Sequence, residues 1–216
     1  NAIHNWLVDF GPRFKLEFKN LFVQIGEHET TQRAGTDFIQ LPNYDRLNYA
    51  YHYLSRGIYS GQLEGTHKFG ADETTRLNWV FGLNSINRNE PDYRRFRTIR
   101  DKTFQETEEP FIMQLPPAGN LFETGRFWSE LEDLGYSHGL NFEKKFGDKM
   151  DKRALTVKAG YFGEYKTRSF KARYLNYLYP DGPDFDPAIG EELRSLPLSD
   201  IFDPSNIKRQ DGFVIE

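Results

Sequence analysis

The sequence predicts an all-β fold: an antiparallel up-and-down transmembrane β-barrel segment of about six long strands. Three observations predict it. Apolar and polar side chains alternate strictly, the alternating runs are far longer than globular strands, and the connections alternate between short turns and long irregular stretches. Successive strand side chains point to opposite faces, so a sustained alternation divides a run into two surfaces.

The alternation is clearest from Leu47 to Phe69. The odd positions Leu47, Tyr49, Tyr51, Tyr53, Ser55, Gly57, Tyr59, Gly61, Leu63, Gly65, His67 and Phe69 carry no fixed charge. The even positions include Arg56, Glu64 and Lys68, and most of the others are polar, among them His52 and Gln62. A globular strand averages about 5–6 residues, and a tilted membrane strand needs about 9–11. At ~3.3 Å per residue this run extends roughly 75 Å. The surplus is expected to project beyond a membrane, as in large plugged barrels.

The same pattern recurs in chain order. A short run, "HNWLVDF", comes first. "RFKLEFKNLF" sets Phe14, Leu16 and Phe18 against Lys15, Glu17 and Lys19. "RLNWVFGLNS" sets Leu77, Trp79, Phe81 and Leu83 against Asn78, Gly82 and Asn84, with Val80 breaking the pattern. "YSHGLNFEKKF" sets Tyr136, His138, Leu140 and Phe142 against Ser137, Gly139, Asn141 and Glu143. "LTVKAGYFGEYKTR" sets Leu155, Val157, Ala159, Tyr161 and Tyr165 against Thr156, Lys158, Gly160, Glu164, Lys166 and Arg168.

Residues 11–12, 70–75 and 147–152 read as turns rich in Gly, Pro and Asp. Residues 28–45, 98–120 and 180–212 read as long irregular connections. Transmembrane barrels combine short periplasmic turns with longer outer loops. On that scheme 1–10, 46–69 and 121–147 run inward, and 13–27, 75–97 and 153–178 run outward. A helical turn is expected in "IGEELRSLPLSDIFDP", ending before Pro197. An ordinary β-sandwich with one wet face is the competing fold.

Composition narrows the function classes. The 216 residues carry a net charge of −4, which does not suggest general nucleic-acid binding. With no Cys there is no disulfide framework and no thiolate metal site. No stretch approaches the ~20 apolar residues of a membrane helix, while 12 Tyr and 19 Phe make the chain rich in aromatic rings suited to an interfacial girdle. Because it starts at Asn1 and stops at "GFVIE", the chain is expected to be a piece of a longer one.

"YLSRGIYSGQLEGTHKF", followed by "LNWVFGLNSINRNEPDYRRFR", resembles the barrel of TonB-dependent receptors of Bacteroidetes. The residues that carry the resemblance are Arg56, Ser60, Gln62, Leu63, Gly65 and His67, then Trp79, Pro91, Asp92, Arg94 and Arg95. "HNW" with "FKNLF", and "KAGYFGEYKTRSFKARY", fit the same pattern. The resemblance implies a 22-stranded outer-membrane barrel closed by an N-terminal plug and energised through the TonB complex. On that basis residues 1–216 are part of one outer-membrane β-barrel domain, with plug and remaining strands supplied by the parent chain. The implied partners are outer-membrane lipid and lipopolysaccharide, the plug, the TonB complex and a surface lipoprotein. The implied activity is import of a scarce nutrient: a metal chelate, a peptide or a glycan fragment. A structural or passive barrel, such as a porin or secretion-complex component, is the alternative, followed by a soluble β-sheet binding module.

No motif of an enzyme, Walker loop or dinucleotide fingerprint occurs, so the chain is expected not to be an enzyme and to need no cofactor. The five His, at 4, 28, 52, 67 and 138, lack metal-ligand spacing, and no metal site is expected. Three features remain as candidate sites. His52, Arg56, Gln62, Glu64, Lys158, Glu164 and Arg168 would line a lumen, for hydration, plug contact or ligand contact. Arg88, Arg94, Arg95 and Arg97, with Arg100 beyond them, form an outer basic cluster that would attract an anion or pair with Glu90, Asp92 and Asp101. Asp181, Asp184 and Asp186 could gather a calcium ion, although such Pro/Gly/Asp clusters are usual in plain loops.

Overall fold

A computed structural model of the chain describes residues 1–70, 72–103, 110–115, 119–120, 123–147, 155–178, 186–207 and 214–215. Six long strands dominate it: β1 (Ala2–Asp9), β2 (Phe14–Asp37), β3 (Leu41–Phe69), β4 (Thr75–Asp101), β6 (Gly125–Phe146) and β7 (Leu155–Leu178). Two short strands, β5 (Ile112–Met113) and β8 (Val214–Ile215), flank them, and α1 (Pro187–Arg194), α2 (Leu198–Ile201) and a 3₁₀ turn (Pro204–Asn206) follow β7. The strand order is β1-β2-β3-β4-β6-β7-β8, with β5 added to β4. Each long strand pairs with the next long strand in the chain, the order of an up-and-down sheet. Among the described residues no pairing of β1 with β7 or β8 closes the sheet.

The pairing is antiparallel. β1 runs against β2 with Trp6 opposite Phe18 and Val8 opposite Leu16. Between β3 and β4, Thr66 meets Asn78 and Ser60 meets Asn84, so one number falls as the other rises. Between β6 and β7 the same holds for Glu143 with Lys158 and Asp133 with Arg168.

The chain divides into two compact units, and the long strands other than β1 contribute a stretch to each. Unit 1 comprises residues 1–26, 55–89 and 130–171. One of its faces is built of aromatic and aliphatic side chains. Phe14 stacks on His67 at 4.3 Å, Tyr59 donates to Asn20 Oδ1 at 2.8 Å, and Trp79 Nε1 donates to His67 Nε2 at 3.1 Å. The opposite face carries ion pairs: Lys19 with Glu64 at 2.8 Å, Glu143 with Lys158 at 3.2 Å, and Asp133 with both Arg168 and Lys166. A row on this charged face departs from it, for Val80 and Phe162 close over Gly139.

Gly65 explains a detail of the apolar face. The Trp79 indole lies across it, and a Cβ added at residue 65 would overlap the ring. The missing side chain is what lets the ring lie flat on the neighbouring strand.

Unit 2 comprises residues 27–54, 90–129 and 172–216. Its core is small. Met113, Tyr177, Leu193 and Ile201 are buried together, with Leu115, Ile189, Leu196, Phe202 and Ile207 packed around them. α1 begins at Asp186, whose carboxylate accepts from Ala188 N at 2.8 Å, with Pro187 in the first turn. Leu193 and Ile201 then point into the core, and Phe202 packs on Phe96 and Tyr177 at 4.8 and 4.4 Å.

The structure corrects three expectations about connections. Residues 28–45 are not a long irregular stretch: β2 continues to Asp37 and β3 begins at Leu41, so a turn of three residues joins them. The stretch "HETTQRAGTD" has no apolar face, and a strand wet on both sides is invisible to a test for hydrophobic alternation. β4 likewise runs on to Asp101. The segment after Pro197 is not a plain loop, because α2 and the 3₁₀ turn follow. Residues 148–152 of the expected third turn lie outside the described residues, as does Ala71.

A fourth difference is a bulge in β4. Glu90 and Tyr93 both contact His52, although residues three apart on a regular strand face opposite ways. Asp92 between them has φ 70°, and Pro91 beside it has no N–H for the ladder. One extra residue is absorbed there, and beyond it the faces of β4 are exchanged. Phe96, an even position, now contacts Tyr51.

Candidate functional site

The exchange at Asp92 decides where the arginines of "DYRRFR" point. Arg94 pairs with Asp92 at 2.5 Å. Arg95 lies over the Tyr93 ring at 4.6 Å, and Arg97 pairs with Glu123 at 2.8 Å. Arg95 and Arg97 share the charged face with Glu29, Thr31 and Arg33 of β2 and Asn48 of β3. Together these line a groove of about 280 Å³. A second hollow of about 490 Å³ shares Arg33 and Asn48 and adds Asp37 and Arg46. This groove in unit 2 is the candidate site, because several cations converge on one concavity.

A buried polar cluster borders it. Glu90, 7% exposed, accepts from His52 Nε2 at 2.6 Å and from the Ser129 hydroxyl at 2.9 Å. The carboxylate sits between the histidine and the serine and bridges them, rather than leaving His52 to face the Ser129 hydroxyl. The arrangement instead fixes His52, which in turn packs on Tyr93 at 4.7 Å. On the other face of unit 2, Arg126 holds Asp92 and lies 4.9 Å from Trp128, with Arg173 at 5.0 Å from the same ring.

Electrostatics in unit 2 is dominated by carboxylates held by cations. Lys102 and Arg100, with the Thr36 hydroxyl, pull the Asp45 carboxyl down to about 2. Burial works to raise Asp92, but Arg126 and Arg94 outweigh it and leave its carboxyl below the usual range.

The residues singled out from the sequence fall as follows. His52, Arg94, Arg95 and Arg97 belong to unit 2, and Arg56, Gln62, Glu64, Arg88, Lys158, Glu164 and Arg168 to unit 1. Arg94 does not share a surface with Arg95 and Arg97. Arg97 finds Glu123, and Glu90 serves His52 and Ser129. Asp101 accepts from Thr103 rather than from an arginine. In unit 1, Glu64, Lys158 and Arg168 are in ion pairs, while Arg56, Gln62 and Glu164 are exposed without a polar partner among the described residues. Asp186 caps α1, and Asp181 and Asp184 lie outside the described residues.

Sequence reasoning missed Arg33, Arg126 and Asp133, and it named Asp92 as a partner of the arginines, as its pair with Arg94 bears out, but not as the site of a bulge. Arg33 was hidden in the stretch read as irregular. Asp92 did carry a signal: Pro-Asp inside a strand run marks a bulge, since Pro is confined to such places and Asp tolerates positive φ.

Among the described residues no helix is long and apolar enough to cross a membrane, which says nothing of crossing by strands. The chain matches no protein-family model and no curated protein.

Proposed function

We propose that the chain is barrel sheet of a TonB-dependent outer-membrane transporter that imports a scarce nutrient. The observation that carries this reading is the exposed aromatic face of unit 1. Trp6, Phe18, Phe22, Phe69, Phe81, Leu140, Phe142, Val157, Tyr161 and Tyr165 share that face and are between 38% and 65% exposed. Soluble proteins rarely leave an apolar patch of that extent to water. A sheet whose other face carries ion pairs meets the pattern of a barrel wall, apolar to lipid and polar to the lumen. The resemblance around Arg56–His67 and Trp79–Arg95 supplies the transporter class. The sheet edges then pair with further strands of the parent chain, because an open edge in lipid leaves backbone groups unsatisfied.

On this reading the charged face lines the lumen against a plug, and the apolar face meets lipid and lipopolysaccharide. No covalent chemistry is involved. The test is paired. Membrane fractionation with heat-modifiable migration on gels reads the barrel, and nutrient-limited growth with and without the TonB energy source reads transport. A protein recovered in the soluble fraction overturns the barrel. A membrane protein whose growth phenotype is indifferent to TonB is a passive barrel instead.

A further inference from the structure

Three guanidinium groups border the groove of unit 2, Arg33, Arg95 and Arg97, against one carboxylate, Glu29. They are not equivalent. Arg97 is taken by Glu123 at 2.8 Å, and Arg95 rests on Tyr93 at 4.6 Å. Arg33 is exposed and has no polar partner among the described residues. Glu29 accepts from the Thr31 hydroxyl at 3.0 Å. Like charges converging on a concavity repel one another and concentrate anions from solution. A guanidinium fork fits a carboxylate or phosphate with two parallel hydrogen bonds.

Size and wall chemistry narrow the ligand. A volume of about 280 Å³ lies just below the usual range for drug-sized molecules, roughly 300–1,000 Å³. It suits a molecule of one sugar or one amino acid. The Tyr93 ring is already engaged by His52 and by Arg95. Charge rather than ring stacking is left to do the recognising.

We propose that this groove binds a small anion bearing a carboxylate or phosphate, with Arg33 as the direct contact and Arg95 adding to the surrounding positive potential. Glu29 opposes the anion and keeps its binding reversible. The inference gives the ligand chemistry of the face read above as a lumen wall. It rests on that reading only for the direction in which the ligand travels.

The test is calorimetric titration of the purified protein at low ionic strength with inorganic phosphate, glucuronate and glucose. The expected result is saturable one-site binding of phosphate, glucuronate or both, with glucose inert; the two anion arms separate phosphate from carboxylate preference. Arg33→Gln weakens binding about tenfold or more, the loss of one charge-assisted contact. Glu29→Gln tightens it several-fold, and both effects shrink with added salt. Lys15→Gln, a cation of unit 1 paired with Asp9, leaves binding unchanged. Failure of both anions to bind overturns the proposal. So does equal binding of glucose, or a change of the same sign from Arg33→Gln and Glu29→Gln. Arg33 is exposed, so its variant is expected to fold, and the opposite-signed Glu29 variant is an independent check. Failure here leaves fractionation and TonB dependence untouched, and failure there leaves this binding measurement untouched.

Discussion

Arg126 holds Asp92 by two parallel bonds, Nε to Oδ1 at 2.6 Å and Nη2 to Oδ2 at 2.7 Å, at the one residue of β4 whose backbone is left-handed. The pair pins the bulge from the neighbouring strand. Asp92→Val is expected to lower stability by about 1–3 kcal/mol through backbone strain alone, since a β-branched residue resists φ 70°. Asp92→Gly relieves the backbone and loses only the pairs with Arg126 and Arg94, which Asp92→Val loses as well. Denaturant midpoints of the folded protein check this, and equal losses for the two variants would show that the left-handed backbone is not what Asp92 provides.

The acid limb of stability is expected to depend on Asp45. Lys102, Arg100 and Thr36 hold its folded carboxyl down to about 2, below its ordinary value of 3.8. A depressed carboxylate stabilises the fold above its unfolded pKa and loses that contribution as pH falls through the folded one. The contribution is therefore complete above about pH 4–5 and gone near about pH 2. Asp45→Asn should flatten the fall in unfolding midpoint across that window. An unchanged slope removes Asp45 from the acid response.

Charges placed on the two faces of unit 1 should have unequal effects. Leu63→Arg or Leu140→Arg puts a cation among the exposed aromatic side chains. In a lipid-facing wall this costs roughly 2–4 kcal/mol near the bilayer midplane and ~0–1 near its edges. Glu64→Gln loses only the exposed, solvent-screened pair with Lys19 and should leave folding intact. Heat-modifiable folding on gels separates the two, and equal tolerance of both sets would rule out a lipid-facing wall.

Gly65→Ala is expected to cost about 1–3 kcal/mol, the range for overpacking a well-filled contact. The added methyl overlaps the Trp79 indole, which must swing away and give up its bond to His67. Tryptophan emission should shift to the red together with the loss of stability. A spectrum identical to the wild type would mean that the ring does not lie on Gly65.

Ile201 is 1% exposed in the small core of unit 2. Ile201→Ala should cost about 2–5 kcal/mol of local stability. Because that core ties α1 and α2 to Met113 and Tyr177, limited proteolysis should cut within residues 187–207 first. Cleavage spread evenly along the long strands would argue against an independently anchored segment.

The long strands were legible in the sequence because one of their faces is apolar and the other charged, so a period of two is written in plain contrast from Leu47 to Phe69. Residues 28–37 of β2 were not, since Thr30, Gln32 and Thr36 alternate with residues that are no more apolar, and of β4 only the last residues, 98–101, were missed. The groove was half legible. Arg95 and Arg97 stood out as a basic run, but Arg33 comes from another strand some sixty residues earlier, and only pairing in the sheet brings it near. The separation of Arg94 from Arg95 and Arg97 follows from alternation alone. Which face receives which residue follows from the bulge, and that required Pro91-Asp92 to be read as a break in register.

The extra residue at Asp92 acts on β4 as a frameshift acts on a message. Every side chain from Tyr93 onward is delivered to the opposite surface from the one a continuous strand would assign. Removing one residue there would turn Arg95 and Arg97 out of the groove and bring Arg94 in, with no change in composition. Lineages carrying such strands can therefore lengthen or shorten them harmlessly only by residue pairs, while a single insertion or deletion at this point rewrites a binding surface in one step.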